Sequence, residues 1–462
     1  MADVDVLVAG AGGGLAGALR AAELDARVVV VEADPHYLRG NNTSMSTAMI
    51  PGAGSRYQRA AGIDDSPERF LADITAKTGG DVARVVARAL AGVSAELVEW
   101  LADHLRMPIE LPTDFAYPGH AVPRVHSIPG RHGSGLLAYL SDAAAGEPGI
   151  DLLVPCRLTG ARRDGTGLIA TLTYPDGGTE EIAASALLLA TNGYGADRAM
   201  VTANLPEIAD ATYHGGAYSA GDALRIGADL GAHASYLDAY QGHAGLSAHA
   251  RTLVTWTTVM HGAFVVDDTG HRFGDESTGY SEYAATLAAR PGAAGWLVYD
   301  ARVHAAALPF TDYRDVHASG AVRTGATAAE LAGQIGVPAG ALAAELTEAA
   351  EVATGVRQRD RFGRTGFERP LAAPYHAVRI LPALFHTQGG LDVDGHARVL
   401  DSGGTPIPGL YASGGAAAGI SGHGASGYLA GNGLLPALGL AYLAATHAAS
   451  AANAAPPKKG EP

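Results

Sequence analysis

Gly10, Gly12, Gly13 and Gly14 crowd the stretch VLVAGAGGGLAG, and Glu32 closes the next apolar run, VVVVEAD. A glycine turn between a strand and a helix lets backbone N–H groups and the positive helix end meet a pyrophosphate, and an acid ending the following strand can bind ribose hydroxyls. The chemistry expected of these residues is dinucleotide binding. The fingerprint is irregular: counted from Gly10, the third glycine position holds Leu15, while a register that keeps Glu32 in its usual place puts Ala9 and Ala11 where glycines are expected. The turn is therefore one residue short. Cys156 is the single cysteine, which excludes an internal disulfide and a cysteine-based metal cluster and predicts a small buried apolar residue. The histidines show no metal-ligand spacing, and redox chemistry, if present, belongs to a cofactor.

Those residues need elements to hold them. VDVLVAGAGGGLAGALRAAELDARVVVVEAD reads as one βαβ unit, with β-branched runs on either side of an Ala/Leu-rich helix. Residues 66–105 carry apolar positions at helical spacing, and Ser66, Pro67 and Glu68 make a helix start. From residue 149 several short strands joined by Asp-Gly and Gly-Gly turns lead to a buried strand at 186–190. The segment from 408 onward returns to a strand, a Gly-rich turn and a long helix. The expectation is an α/β protein with a Rossmann-like first domain at 1–235 resumed at 371–450, an inserted domain at 236–370, and a frayed tail at 451–462.

Composition narrows the function classes. A chain of 462 residues, 47% apolar and 17% charged, can bury two or three cores. Its net charge of -15 argues against nucleic acid or an anionic membrane surface as partner. Neither an uninterrupted transmembrane run nor a signal pattern is apparent at MADVDVLVAGAGGG, which gives the expectation of a cytoplasmic protein without a membrane span.

Three further segments, RGNNTSMSTAMIPGAG, LLLATNGYG and FHTQGGLDVDGHARVLDSGGTPIPGLYASGG, occur in this order. With the glycine turn they resemble the FAD-dependent fumarate reductase and succinate dehydrogenase flavoprotein superfamily, which also contains the 3-ketosteroid dehydrogenases, over nearly the whole chain. The resemblance implies an FAD-binding domain of glutathione-reductase type with an inserted α+β clamp domain capping the substrate. It lays FAD along Gly10 to Gly14, Glu32, Asn42, Thr43, Ser46 and Thr47, with Gly414, Gly415, Asn432, Gly433 and Leu434 closing around the ribityl chain and flavin. Asn42 stands where some relatives attach FAD through histidine, which implies noncovalent FAD. Gly415 departs from the acid or amide common after the YASG strand.

The same resemblance assigns substrate roles. His243 falls on the clamp-domain histidine, Thr255 on its threonine neighbour and His386 on the second histidine of fumarate reductases. The acidic member of the proton relay falls on Trp256, one relay arginine on Val259, the proton-donating arginine on Tyr280 and the last substrate arginine on Tyr428. Without guanidinium clamps a dicarboxylate is poorly held. At Tyr280 and Tyr428 the chain resembles the 3-ketosteroid Δ1-dehydrogenases, which implies Tyr280 as the base that removes a proton α to a ketone, Tyr428 as the donor to the carbonyl, and flavin N5 as hydride acceptor. Tyr117, in DFAYPG, matches a third tyrosine able to hydrogen-bond Tyr280, and Gly431 or Asn432 could add a backbone N–H to the carbonyl. His120, His126 and His423 receive no role. The reading is a dehydrogenase placing an α,β double bond in a cyclic ketone, a steroid or a small oxocyclohexane, the latter with one carboxylate near His243 or His386. Oxygen, a quinone or a carrier protein would take the electrons. Two alternatives stay open: an ene-reductase of the fumarate reductase type, and a flavin subunit of an electron-transfer complex.

Overall fold

The computed structural model describes residues 2–113, 117, 119–165 and 167–454. The chain divides into two compact units, the first made of Met1–Leu205, Gly215–Tyr240 and His386–Pro462, the second of Pro206–His214 and Gln241–Phe385. In chain order the strands that build their main sheets are β1 (Val4–Ala9), β2 (Val28–Val31), β3 (Ile150–Leu153), β4 (Thr179–Leu189), β5 (Tyr240–Ser247), β6 (Phe264–Val266), β7 (Gly295–Asp300), β8 (Tyr375–Thr387) and β9 (Pro406–Ala412). The helices that position site residues are α1 (Gly14–Glu23), α2 (Arg84–Asp103), α3 (Tyr280–Ala288) and α4 (Leu434–Ala454).

In the first unit the strands run parallel in the order β3-β2-β1-β4-β9. Both faces of such a sheet are covered, which is why β1 and β2 read as unbroken apolar runs rather than alternating ones. Val6, Leu7, Val8 and Ala9 are all 3% exposed or less. The chain leaves β1 for β2 on one side and β4 lies on the other, so the carboxyl end of β1 is a topological switch point, where open α/β sheets bind ligands. An antiparallel hairpin, Arg157–Asp164 with Gly167–Thr173, extends the sheet beside β4. Helix α4 packs against α1 and α2. Its Leu434–Ala451 window is long and apolar enough to cross a membrane (mean hydropathy 1.3), but 67% of it is buried, so packing inside the fold accounts for its composition. The helix continues through Ala454, past the point where a frayed tail was expected, and residues 455–462 lie outside the described residues.

The second unit is built on an antiparallel sheet ordered β5-β8-β7-β6. Helical segments cover it through Leu331, Ile335, Leu342 and Val352, which join Phe264, Val298 and Ala377 in one apolar core. It begins at Gln241 and ends at Phe385 rather than at 236 and 370, and it recruits Pro206–His214. The cause is β8, whose registers with β7 and with Thr212–Tyr213 place both segments in its sheet. A β-rich run in sequence marks a strand without naming the sheet it joins.

Candidate active site

Strands β1, β2, β4 and β9 of the first unit each deliver a polar or glycine loop to the carboxyl edge of the sheet. After β1, Gly10 has φ +112°, and a Cβ there would collide with the Ala190 carbonyl oxygen at the end of β4. Only glycine fits. Gly13 caps α1, and a Cβ on it would lie 2.7 Å from Ala437 Cβ of α4. Gly14 packs 2.8 Å from Val8 Cγ1 by the same measure, so it performs the strand–helix close approach expected of the third fingerprint glycine, and Leu15 turns fully into the core. The short turn is thereby accommodated. After β2, Glu32 accepts the Ala11 and Asp34 N–H groups, each at 2.7 Å, and burial pushes its carboxyl above the usual range despite those bonds.

The remaining cofactor candidates gather around these loops. Thr43 Oγ1 lies within 2.9 Å of where a Gly12 Cβ would sit, Ser46 Oγ donates to the Thr43 carbonyl at 2.8 Å, and the Thr47 carbonyl accepts from Ser127 Oγ at 3.3 Å. Asn42 Oδ1 accepts the Gly216 N–H at 2.7 Å. Gly414 and Gly415 form a turn of 3-10 helix directly after β9, and Gly415 backs onto the Asn192 side chain. Four buried atoms stand on the same loops without partners: Asn432 Oδ1, on a residue expected from the sequence, and Asn41 Nδ2, Thr191 Oγ1 and Ser413 Oγ, which were missed in it. A buried polar atom left unpaired is costly, so glycine-lined backbone together with four orphaned donors and acceptors fits a large polar cofactor such as FAD.

The same unit carries Tyr428 and His386. His386 follows Phe385 near the end of β8, and its ring meets Tyr428 edge-on with centroids 6.1 Å apart. Gly433 lets the backbone pass close by, since a Cβ there would be 3.1 Å from His386 Nε2. A hydrogen-bond chain stands behind the histidine. Asn432 Nδ2 donates to Ser421 Oγ at 3.2 Å and Ser421 Oγ to Gln388 Oε1 at 2.9 Å, while Gln388 Nε2 lies 3.1 Å from His386 Nδ1 and 3.4 Å from its Nε2, and Nδ1 lies 3.4 Å from the Thr387 carbonyl. His386 retains some exposed surface, yet burial pushes it down to about 4. His120 also takes part: its Nε2 bonds the Ala430 carbonyl at 3.0 Å and bears on the 428–433 loop, while Arg124, paired to Asp65 at 2.9 Å, sits beside its Nδ1. Gly431 has φ +91° and lies against Pro51. The Asn432 N–H is already bonded to the Leu429 carbonyl at 3.0 Å. Tyr117 is half-buried, and its carbonyl accepts the His120 N–H at 3.1 Å; Asp114, Phe115, Ala116 and Pro118 of DFAYPG lie outside the described residues. His126 bonds Ser55 Oγ at 2.8 Å and His423 bonds Asp238 at 2.8 Å.

In the second unit Tyr280 is the first residue of α3, directly after Gly279, whose φ of +133° lies where L side chains rarely go. What holds that turn is a fully buried charge network. Arg272 binds Glu276 and Asp360, each at 2.6 Å, and Arg364 binds Glu276 at 2.9 Å and the Val259 carbonyl at 2.8 Å. Burial opposes the charge on Glu276, but the two guanidiniums outweigh it and hold its carboxyl below the usual range. Ser281 Oγ accepts the Gly242 N–H at 3.0 Å, tying α3 to β5 beside His243.

Around Tyr280 the rings form a column. Tyr280 stacks on His243 (4.8 Å, 22°), His243 stacks on Phe385 (5.4 Å, 21°), and Phe385 meets His214 at 5.2 Å. The Gly245 N–H donates to His243 Nδ1 at 2.9 Å, and burial pushes this imidazole down to about 3. Trp256 faces His243 edge-on at 6.1 Å and donates Nε1–H to the Glu276 carbonyl, and Val259 is buried. Thr255 Oγ1 donates to Thr257 Oγ1 at 3.0 Å. His214 and Phe385 carry no signal in sequence, because their packing partners are remote.

A family model described as an FAD binding domain matches residues 5–434. The chain is 30% identical over 430 residues to a probable fumarate reductase of Shewanella frigidimarina, covering 90% of this chain and 70% of that protein. It is 30% identical over 262 residues to a 4-oxocyclohexanecarboxylate 2-dehydrogenase of Sinomonas cyclohexanicum, covering 46% and 44%. Its structure is similar to the open conformation of a flavocytochrome c3 fumarate reductase (TM-score 0.80, 27% identity, 97% of this chain and 78% of that one). It shares its fold with the 3-ketosteroid Δ1-dehydrogenase of Sterolibacterium denitrificans (TM-score 0.77, 22% identity, 97% and 99%).

Proposed function

Since the chain belongs to the FAD binding domain family, within the flavoprotein superfamily of fumarate reductases and succinate dehydrogenases, and is an FAD-dependent oxidoreductase, we propose that it introduces an α,β double bond into a cyclic ketone. The observation that carries the reading is the uncharged ring column in the second unit. Tyr280 lies on a neutral imidazole, with Trp256 and Val259 where a relay acid and arginine would stand in a fumarate reductase. FAD, held noncovalently on the glycine loops, would supply the acceptor for the hydride, which carries both electrons of the desaturation.

The residues of the chain do the rest. Tyr280 takes the proton α to the ketone, and Tyr117 supports its phenolate. Tyr428 donates its O–H to the ketone oxygen, which gathers negative charge as the α proton leaves. Gly431 supplies the second, backbone donor, because the Asn432 N–H is occupied. His243 beside Tyr280 and His386 beside Tyr428 act as neutral imidazoles. The 4-oxocyclohexanecarboxylate dehydrogenase relative supports a monocyclic ketone, and the fold shared with the ketosteroid dehydrogenase is compatible with a larger ring system. The electron acceptor is oxygen, a quinone or a carrier protein.

A second reading runs the chemistry backwards, as reduction of an activated alkene, and the fumarate reductase similarity over 90% of the chain favours it. Anaerobic mixing of the yellow protein with steroid and monocyclic ketones separates the two. Bleaching of the flavin by a ketone is the expected result; reoxidation of the chemically reduced protein by fumarate, with no ketone active, would overturn it. Tyr280→Phe is expected to retain FAD and to slow ketone-driven flavin reduction by roughly 10²–10⁴-fold, the usual weight of a positioned proton transfer. Unchanged reduction would remove Tyr280 as the base.

A further inference from the structure

His120 joins two short segments of the first unit, and both of its ring nitrogens face partners of fixed polarity. Its backbone N–H donates to the Tyr117 carbonyl at 3.1 Å, which closes the turn that carries Tyr117. Its Nε2 lies 3.0 Å from the carbonyl of Ala430, two residues after Tyr428. A carbonyl oxygen only accepts, so Nε2 carries the proton. Its Nδ1 faces Arg124 Nη1 at 3.4 Å, and a guanidinium only donates, so Nδ1 presents its lone pair. The two partners between them fix the ring as a neutral Nε2–H donor.

Arg124 has no room to turn away. It is 0% exposed, its Nε and Nη2 bind the two oxygens of Asp65 at 2.9 and 3.0 Å, and its Nη1 also binds Asp73. Phe70 and Asp73, one turn apart on the helix Pro67–Lys77, complete the seat. The Phe70 ring takes the guanidinium at 4.8 Å and stacks on His120 (5.9 Å, 28°), while Asp73 accepts the Ala121 N–H at 2.9 Å. On the facing segment Leu429 is 1% exposed, and it reaches the turn only because Gly119, at φ +83°, has no side chain: a Cβ there would collide with Leu429 Cδ2. Leu429 and Ala430 directly follow Tyr428, so whatever sets their backbone sets where the phenol points.

We propose that His120 is a positioning residue for Tyr428: its Nε2–H bond to Ala430 staples the loop that presents this phenol to the turn of Tyr117, and the immobile Arg124 holds the imidazole that makes the staple. The proposal rests on the reading of Tyr428 as the donor to the ketone oxygen. A phenol on a loop free to drift would meet that oxygen only part of the time, and placing a reacting group is a large share of what an active site does.

The test uses the FAD-loaded protein carrying 3-fluorotyrosine at position 428. His120→Phe keeps a ring against Phe70 and removes both ring nitrogens, while His120→Gln restores an N–H donor within reach of Ala430. Fluorine NMR is expected to show one sharp resonance in the native protein and in His120→Gln, and a displaced or broadened one in His120→Phe, at a temperature where circular dichroism shows all three folded. Ketone-driven flavin reduction should slow by roughly 10–100-fold in His120→Phe, the range expected when a reacting group is misplaced by about 1 Å, and recover in His120→Gln. Adding His120→Phe to Tyr428→Phe should cost nothing further, since the two act as one unit. A fluorine resonance indifferent to His120→Phe, or losses that multiply in the double variant, overturns the proposal. Should His120→Phe fail to fold, nitrogen-15 NMR of the native histidines decides: a proton on Nε2 of His120 upholds the staple and one on Nδ1 overturns it. If the fluorine result stands but no ketone bleaches the native flavin, it is the ketone reading that fails and the staple that survives.

Discussion

The two units solve the same problem, fixing functional groups against thermal motion, with different materials. In the first, the cofactor cradle is made of backbone: glycines at the carboxyl ends of parallel strands, placed by how closely Gly10 and Gly13 must approach Ala190 and Ala437. In the second, Tyr280 is placed by charge. Arg272, Glu276, Asp360 and Arg364, all excluded from solvent, pin the turn that precedes α3. A backbone cradle tolerates variation in side chains as long as small residues stay at the close approaches. A buried ion network tolerates almost none, because removing one partner strands the others in a medium that cannot solvate them.

The sharpest way to break the contrast is Glu276→Gln. It leaves two guanidiniums with Asp360 as the remaining carboxylate of the network and is expected to cost about 3–5 kcal/mol, the usual result of breaking a buried pair. Limited proteolysis should then cut within 241–385 at temperatures where the first unit still resists. Equal resistance in native and variant protein would show that the network does not hold the second unit.

Acid should act on both units through their buried imidazoles. Burial takes His120, His126 and His386 down to about 4 and His243 to about 3, against about 6.5 in an unfolded chain. Between those values the unfolded chain binds more protons, so stability is complete above pH 6.5 and falls as the pH drops toward 4. The loss amounts to roughly 3 kcal/mol per histidine at most. Thermal melts between pH 4 and 8 would test this, and a melting temperature flat over that interval contradicts it.

Gly10→Ala sharpens the comparison from the other side with the smallest expected penalty, roughly 1–3 kcal/mol for a side chain forced into positive φ. Its Cβ also meets the Ala190 carbonyl, so FAD content after purification should fall while the protease resistance of 241–385 is kept. Full FAD occupancy would mean that the cradle yields more than its geometry suggests.

Much of the first unit was legible in the sequence. The apolar runs at β1 and β2 are strands, Ser66 caps the helix Pro67–Lys77 by accepting the Arg69 N–H, and Cys156 is buried with its thiol pushed up by burial. These follow from spacing within a few residues. The helical stretch at 66–105 proved to be two helices, parted near Gly79 and Gly80, both at positive φ. The charge network could not be read, since Arg272 meets Asp360 across 88 residues of chain. The same holds for the contacts of the histidines: Gln388 and Gly245 stand two residues from the rings they meet, but nothing in FHTQGG or QGHAGL says which atom faces which.

The order of the strands also governs when each unit can exist. The first sheet pairs β1, which begins at Val4, with β4, and β4 in turn with β9, which begins at Pro406. At about 5–20 residues per second a ribosome takes roughly 20–80 s to travel from one end of that sheet to the other. The stretch Gln241–Phe385 emerges complete within that interval. The second unit can therefore mature while β4 still waits for β9, and the glycine cradle, lined by α4 at Ala437, forms only once that helix has been made. Capture of the cofactor then follows the synthesis of α4, and the edge of β4 at Leu187, Leu188 and Leu189 needs shielding until β9 arrives.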